Sequence, residues 1–226
     1  MIDLRKAFDT VDHNNLCSKI QAMGVKNIKW FESYLTGRKQ LVNVNGTEST
    51  FPNITCGVPQ GSILDPLLFL CYVNDMAISI NPDCKLLLYA DDSTILFSHK
   101  DPNFISNKLG KELESCSEWL VDNKLSLHLG KTECILFGPK RNLKRASEFQ
   151  IQCNGHVIKS QSSIKYLGID IDQNLSGEKK TANSITKKVN SRLKFMYRKA
   201  NCLSTETRKT LSMALIQCHF DYSCSS

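Results

Sequence analysis

Asp91 and Asp92 stand side by side inside an apolar run, LLLYADDSTILF, residues 86–97. Leu86 to Ala90 lead in and Thr94 to Phe97 lead out, a composition suited to strands buried on at least one face. Unpaired carboxylates in such a setting cost on the order of several kcal/mol. One reading makes the pair a hairpin turn, since aspartate tolerates turn geometry. The other makes it a metal site on a hairpin tip. A further acid, Asp3, closes what reads as the first strand, just ahead of Lys6, Ala7 and Phe8. In-line phosphoryl displacement by two metals needs divalent cations about 3.5–4 Å apart. Magnesium takes oxygen ligands, often one or two carboxylates plus substrate phosphates. One acid from a strand and two from a neighbouring hairpin would supply that set, and such carboxylates repel one another unless metal is bound. The turn reading does not account for the second acid-bearing strand.

The elements that must position these acids are legible as an alternation of helical and strand-like runs. HNNLCSKIQAMG sets Leu16, Ile20 and Met23 on one helical face with Gly24 as the stop, and NIKWFESYLTG repeats this with Ile28, Phe31 and Leu35. Asn45-Gly46 between two strand-like runs predicts a hairpin. GVPQGSILDPLLFLCYVNDMAI reads as a Pro/Gly loop, a Ser62 cap and an apolar helix. After the Asp hairpin, Ile105, Leu109, Leu113, Cys116 and Leu120 recur at helical spacing. KTECILFG, FQIQCNG and SIKYLGIDI read as three short strands, and the tail from Glu178 as basic helix. The order predicts an α+β fold, a sheet with packed helices followed by a small helical unit, with a boundary near Gln173–Gly177.

At 226 residues, 41% hydrophobic and 23% charged, the chain has room for a real core and is not compositionally disordered. No apolar run is long enough to span a bilayer, and MIDLRKAFD lacks a signal-peptide core. An intracellular protein, nuclear and/or cytoplasmic and not secreted, is expected. The ten cysteines form no C-x-x-C pair, so they are expected to be reduced and to serve as small core hydrophobes. Charge is localised. Between Lys179 and Lys209 ten Lys/Arg face a single acid, Glu206. That is the footprint of a phosphate-backbone binder or, alternatively, a solvated helix face.

Five stretches, DLRKAFDTVDH, GVPQGSILDPLLFLCYVNDM, LYADD, NKLSLHLGKTE and KYLGIDID, resemble the successive motifs of reverse transcriptases. With SYLTGRKQ, the pattern is most similar to non-LTR (LINE-type, jockey-like) retrotransposons, and the resemblance runs from Ile2 to about Leu175. It implies a polymerase palm-like antiparallel sheet over 1–175 and a partial, basic, thumb-like helical region over 176–226. It implies RNA-directed DNA synthesis from an RNA template, a DNA primer and dNTPs, with two Mg2+ ions (Mn2+ as substitute) and no membrane. By motif position, Asp3 and Asp91 would bind both metals and Asp92 would complete the acidic set, with the Leu4 carbonyl as a further ligand. Phe8 would pack under the sugar and exclude a 2′-hydroxyl; its other reading is a core aromatic. Gln60 and Gly61 would touch nucleotide and template, or form a mere turn. Lys131 would neutralise or protonate the pyrophosphate, or be a surface lysine. Leu167 and Gly168 lie in what resembles the primer-gripping hairpin, and Lys187, Lys188, Arg192 and Lys194 would track the duplex backbone.

The sequence departs from the family at several points. Asp65 stands where the family usually has glycine in GSILGPLLF; its charge near the nucleotide loop is either harmless at a helix N-terminus or weakens substrate binding. Only two residues precede Asp3, so its strand is expected to be too short to pair. Against the family's pattern, the fingers region and an endonuclease are expected to be missing upstream, and FDYSCSS to stop within the thumb-like region. The competing class is a catalytically dead remnant acting at most as a nucleic-acid-binding module, and the chain alone is expected to be inactive. A group II intron maturase is a third reading, against which SYLTGRKQ argues.

Overall fold

The computed structural model describes residues 1–50, 52–146, 148–176 and 178–221. The chain forms two compact units, Met1–Cys134 with Glu148–Ser160, and Ile135–Ser147 with Gln161–Ser226. The composition shift near Gln173–Gly177 therefore falls inside the second unit, and Gly177 itself and residues 222–226, most of FDYSCSS, lie outside the described residues.

The first unit begins with an extended segment, a 3-10 turn at Ala7–Asp9 and α1, His13–Ala22. Asp12 caps α1 by accepting from the Asn15 N–H at 2.9 Å. Helix α1 buries Leu16, Cys17 and Ile20 as its spacing predicts. Met23, expected on the same face, is 47% exposed, because the helix has already ended at Ala22 and Met23 serves as the C-cap. Helix α2, Ile28–Leu35, follows, then a short hairpin of β1, Asn43–Val44, and β2, Thr47–Glu48, around Asn45-Gly46. Helix α3, Asp65–Val73, starts where Ser62 Oγ accepts from the Asp65 N–H at 3.1 Å. It buries Leu68, Phe69, Tyr72 and Val73. The Tyr72 hydroxyl donates to the Asn123 carbonyl at 2.5 Å, so the buried phenol is satisfied.

Strands β3, Lys85–Tyr89, and β4, Asp92–Leu96, pair antiparallel. Helix α4, Pro102–Asp122, runs beside them in sequence and buries Ile105, Leu113, Cys116 and Leu120. Later in the chain come α5, Lys140–Arg145, and the hairpin of β5, Gln150–Cys153, with β6, His156–Lys159. Gly110 lets α4 lie against β5: a Cβ there would stand 2.7 Å from the Gln152 carbonyl oxygen. Ser106 Oγ also donates to the Gln150 carbonyl.

Two expectations fail in this unit and its margin. KTECILFG is not a strand. Its backbone meets separate partners: Glu133 exchanges hydrogen bonds with Met1, Cys134 forms an isolated parallel bridge to Ser160, and the Gly138 N–H donates to the Gln173 carbonyl at 3.3 Å. Scattered contacts with no continuous neighbouring segment make no strand. The segment carrying Asp3 was expected to be too short to pair, yet it pairs on both sides. Ile2 bridges to Ser93 and Leu4 to Leu127, both antiparallel. The Ile2 N–H bonds to Ser93 on one side, the Asp3 carbonyl and the Arg5 N–H bond to His128 and Ser126 on the other, and Leu4 is buried.

In the second unit SIKYLGIDI folds back on itself as β7, Ser163–Tyr166, and β8, Ile169–Asp172. Helices α6, Glu178–Arg198, α7, Thr205–Ser212, and α8, Cys218–Asp221, complete it, with a π-helical stretch at Met213–Gln217. Among the described residues no helix is long and apolar enough to cross a membrane. Cys17, Cys84, Cys116, Cys134 and Cys153 are buried, and burial pushes the Cys116 thiol up to about 12, which keeps it an unreactive apolar group.

Candidate active site

The two aspartates sit where β3 turns into β4. Tyr89 pairs with Asp92 across the turn, leaving Ala90 and Asp91 as its two-residue tip. Ala90 holds φ at 52°, left-handed backbone that a Cβ-bearing residue adopts at a cost of about 1–2 kcal/mol. The tip is thus held in a conformation with an energetic cost, and Asp91 and Asp92 are both exposed on it.

Asp3 reaches this tip through its neighbours. The Ile2 N–H donates to the Ser93 carbonyl at 2.7 Å. In an antiparallel register that bridges Ile2 to Ser93, the next residue along, Asp3, stands across from Asp92, and cross-strand partners share a sheet face. On its other side the Asp3 carbonyl accepts from the His128 N–H at 2.8 Å, and the Arg5 N–H donates to Ser126 at 2.9 Å. Burial, then the charge of Asp91, then that of Asp3, push the Asp92 carboxyl above its ordinary value. The electrostatics therefore tie three acids from two segments to one locality.

This donor set suits a hard divalent cation, being oxygen-only and mutually repulsive without compensating charge. Among the described residues no three His, Cys, Asp or Glu side chains already converge closely enough to hold a metal. The register and the donor chemistry fit the group; a closed ligand cage is not formed. Leu4 beside Asp3 is buried.

The Pro-Gln-Gly loop is knitted to the Asp3 segment. The Val58 N–H donates to the Phe8 carbonyl at 2.9 Å, the Gly57 N–H to Val11 at 2.8 Å, and Gln60 Nε2 to Asp9 Oδ1 at 2.7 Å. Gly57 is required here, because φ is +86° and a Cβ would meet the Asp9 carbonyl oxygen at 2.8 Å. Phe8 is half-buried, with its ring 4.4 Å from the fully buried Phe69 ring of α3. The loop bearing Gln60 and Gly61 is therefore tied to the chain at Phe8, Asp9 and Val11, and Gln60 and Gly61 are exposed. Lys131 is exposed on the turn whose His128 amide binds Asp3, with its own N–H on the His128 carbonyl at 2.9 Å. Asp65 is only 6% exposed, and its Oδ1 has no hydrogen-bond partner. Burial and the nearby Asp9 charge push its carboxyl up, against a Gly61 backbone hydrogen bond that favours the charge. Asp9 was not singled out from the sequence, although it lies within DLRKAFDTVDH.

In the second unit Leu167 and Gly168 form the β7–β8 turn, both left-handed at φ 46° and 86°. Lys187, Lys188 and Lys194 are exposed on α6. Arg192 is partly taken up by packing: its guanidinium donates to the Leu215 carbonyl at 2.6 Å and contacts His219 Nε2. A second basic cluster was missed. Lys140, Arg141, Lys144 and Arg145 are all exposed on α5 with no acid among them, and KRNLKR was there to be read.

A family model described as reverse transcriptase (RNA-dependent DNA polymerase) matches residues 1–171. The chain belongs to the reverse transcriptase family. Over 189 residues it is 27% identical to the RNA-directed DNA polymerase from mobile element jockey of Drosophila melanogaster, covering 80% of this chain and 20% of the relative. It is 32% identical to a probable RNA-directed DNA polymerase from transposon BS of the same species, over 77% of this chain and 20% of the relative. The chain thus spans about a fifth of the length of the curated relatives it matches. The jockey-like, non-LTR retrotransposon resemblance read from the motifs is borne out. In fold, the chain is similar to part of a telomerase from Candida tropicalis solved with a TWJ fragment of telomeric RNA. The TM-score is 0.53 at 16% identity, covering 100% of this chain and 38% of that one. Reverse transcriptases generally use divalent metal ions.

Proposed function

We propose that this chain forms the palm, and part of the thumb, of an RNA-directed DNA polymerase that adds dNTPs to a DNA primer on an RNA template. The observation that carries the reading is the Ile2–Ser93 bridge, which sets Asp3 across from Asp92 and beside the Asp91 tip. Asp3 and Asp91 would hold two Mg2+ ions, with Asp92 completing the acidic set and the Leu4 carbonyl as an added ligand. When bound, that pair supplies charge neutralisation at the attacking and leaving oxygens.

The protein's own side chains then do the positioning on which phosphoryl transfer depends. Phe8, braced by Phe69, presents a ring edge against the sugar and excludes a 2′-hydroxyl. Gln60 and Gly61, on the loop tied to Asp9, offer polar and backbone contacts to the nucleotide and its template base. Lys131 Nζ gives its charge, or a proton, to the departing pyrophosphate. Leu167 and Gly168 grip the primer strand, and Lys187, Lys188, Arg192 and Lys194 follow the duplex backbone, Arg192 with the donors that Leu215 leaves.

Single-nucleotide extension of a primed RNA template, by the polymerase that carries this chain, tests the reading. Extension that needs a divalent cation and disappears in Asp91→Asn supports it. Extension that survives Asp91→Asn overturns it.

A further inference from the structure

Helix α2 and the turn after it carry a part-exposed ladder that the palm chemistry leaves unused. Trp30 and Tyr34 stack with ring centroids 5.6 Å apart and planes 5° from parallel. The Arg38 guanidinium continues the stack, 4.4 Å from the Tyr34 ring centroid and anchored by its Nε on the Tyr34 carbonyl at 2.6 Å. An i, i+4 aromatic pair supports a helix on its own, but Trp30 remains 51% exposed, which helix support does not require.

The sequence around the ladder is mostly basic. Lys26, Lys29 and Lys39 flank it and are exposed. The one acid between residues 13 and 47 is Glu32. Glu32 belongs to a different stripe of α2: with Ile28 and Thr36 it lines a small cavity of about 180 Å³ shared with His13, Cys17 and Gln21 of α1. At 100° per residue, Trp30 and Tyr34 lie about 200° around the helix from Ile28 and Glu32, and Arg38 follows the helix end. The ladder is therefore aromatic and cationic, and Glu32, the one acid of α2, lies on another stripe of the helix.

We infer that this face binds single-stranded nucleic acid, stacking bases on the Trp30–Tyr34 ladder while Arg38 and the lysines meet phosphates. Aromatic faces take every base, and cations track the backbone, so recognition is sequence-tolerant. The inference rests on the polymerase reading for its occupant, the unpaired template strand, but its test reads a different site. A protein partner is the alternative occupant.

In a Trp119→Phe background Trp30 is the sole tryptophan, and its emission reports directly on the ladder. Titration of the full chain with a 20-nucleotide oligouridylate is expected to quench that emission, whereas inorganic polyphosphate, with charge and no bases, leaves it unquenched. Tyr34→Ala should weaken binding by about 5- to 100-fold, with the dependence on salt unchanged. Trp30→Phe, read with a labelled oligonucleotide, keeps a stacking ring and should stay near wild type, which separates loss of stacking from loss of fold. Unquenched emission with RNA, quenching by polyphosphate, or Tyr34→Ala at wild-type affinity would each overturn the inference and leave the face to a protein partner. Mn2+ binding at Asp3 and Asp91, followed in the Trp30→Ala protein, distinguishes the two readings. If Mn2+ binds and RNA does not quench, only the ladder inference fails; if RNA quenches and Mn2+ does not bind, only the polymerase reading fails.

Discussion

The Ile2 amide lies 2.7 Å from the Ser93 carbonyl oxygen, and this bond sets the register between the two acid-bearing segments. Through it Asp3 faces Asp92 across the ladder, and like charges directly opposite destabilise a strand pair. In chelator, Asp3→Asn or Asp92→Asn should therefore raise stability, by about 0.2–1 kcal/mol on the scale of cross-strand pairs. Added Mn2+ should stabilise the wild type more than either variant and so reverse the order. Thermal melts with and without the ion check both signs.

The Asp91 tip carries its own cost in Ala90, held at φ 52°. Glycine adopts that conformation without the Cβ clash. Ala90→Gly should raise the unfolding free energy by about 1 kcal/mol, read from urea midpoints at constant m-value. No gain would mean that the tip is relaxed as alanine.

Asp12 caps α1 and lies 2.5 Å from Lys124 Nζ. Burial alone would raise its carboxyl, but the Lys124 and Asn15 hydrogen bonds hold it below its ordinary value. A folded pKa beneath the unfolded one gives stability that is present above about pH 4 and lost as pH falls through the folded value. Asp12→Ala should cost about 1 kcal/mol at neutral pH as a lost cap. The gap between the two proteins should narrow on acidification, not widen.

Phe8 has one face on Phe69 and is half-buried. In a primer-extending form of the chain, Phe8→Val should admit ribonucleotides more readily while dNTP use persists. Unchanged discrimination in single-nucleotide incorporation would make Phe8 a core aromatic only.

Much of this was legible in the chain itself. The Asp hairpin was readable because apolar runs flank a polar pair, and Asn45-Gly46 announced its turn directly. Pairing of the Asp3 segment was not, because Ile2 finds Ser93 and Leu4 finds Leu127 across some ninety to 120 residues; local composition does not encode such a register. Residues 131–138 were misread for the converse reason. Their composition is strand-like, but their backbone partners, Met1, Ser160 and Gln173, belong to separate segments and form no continuous pairing. Arg192 looked like its basic neighbours on α6, and only packing shows it partly spent on Leu215. The exposed α5 cluster needed no structure at all, since KRNLKR declares it.

Manganese binding, followed by electron paramagnetic resonance as the free ion disappears, tests the central claim most directly. If Asp3, Asp91 and Asp92 form the cation site of this reverse transcriptase, the wild-type chain binds Mn2+, and Asp3→Asn and Asp91→Asn each weaken it by about tenfold or more, the loss expected for about 1.4 kcal/mol per ligand. Equal Mn2+ affinity in the wild type and both variants would contradict the assignment.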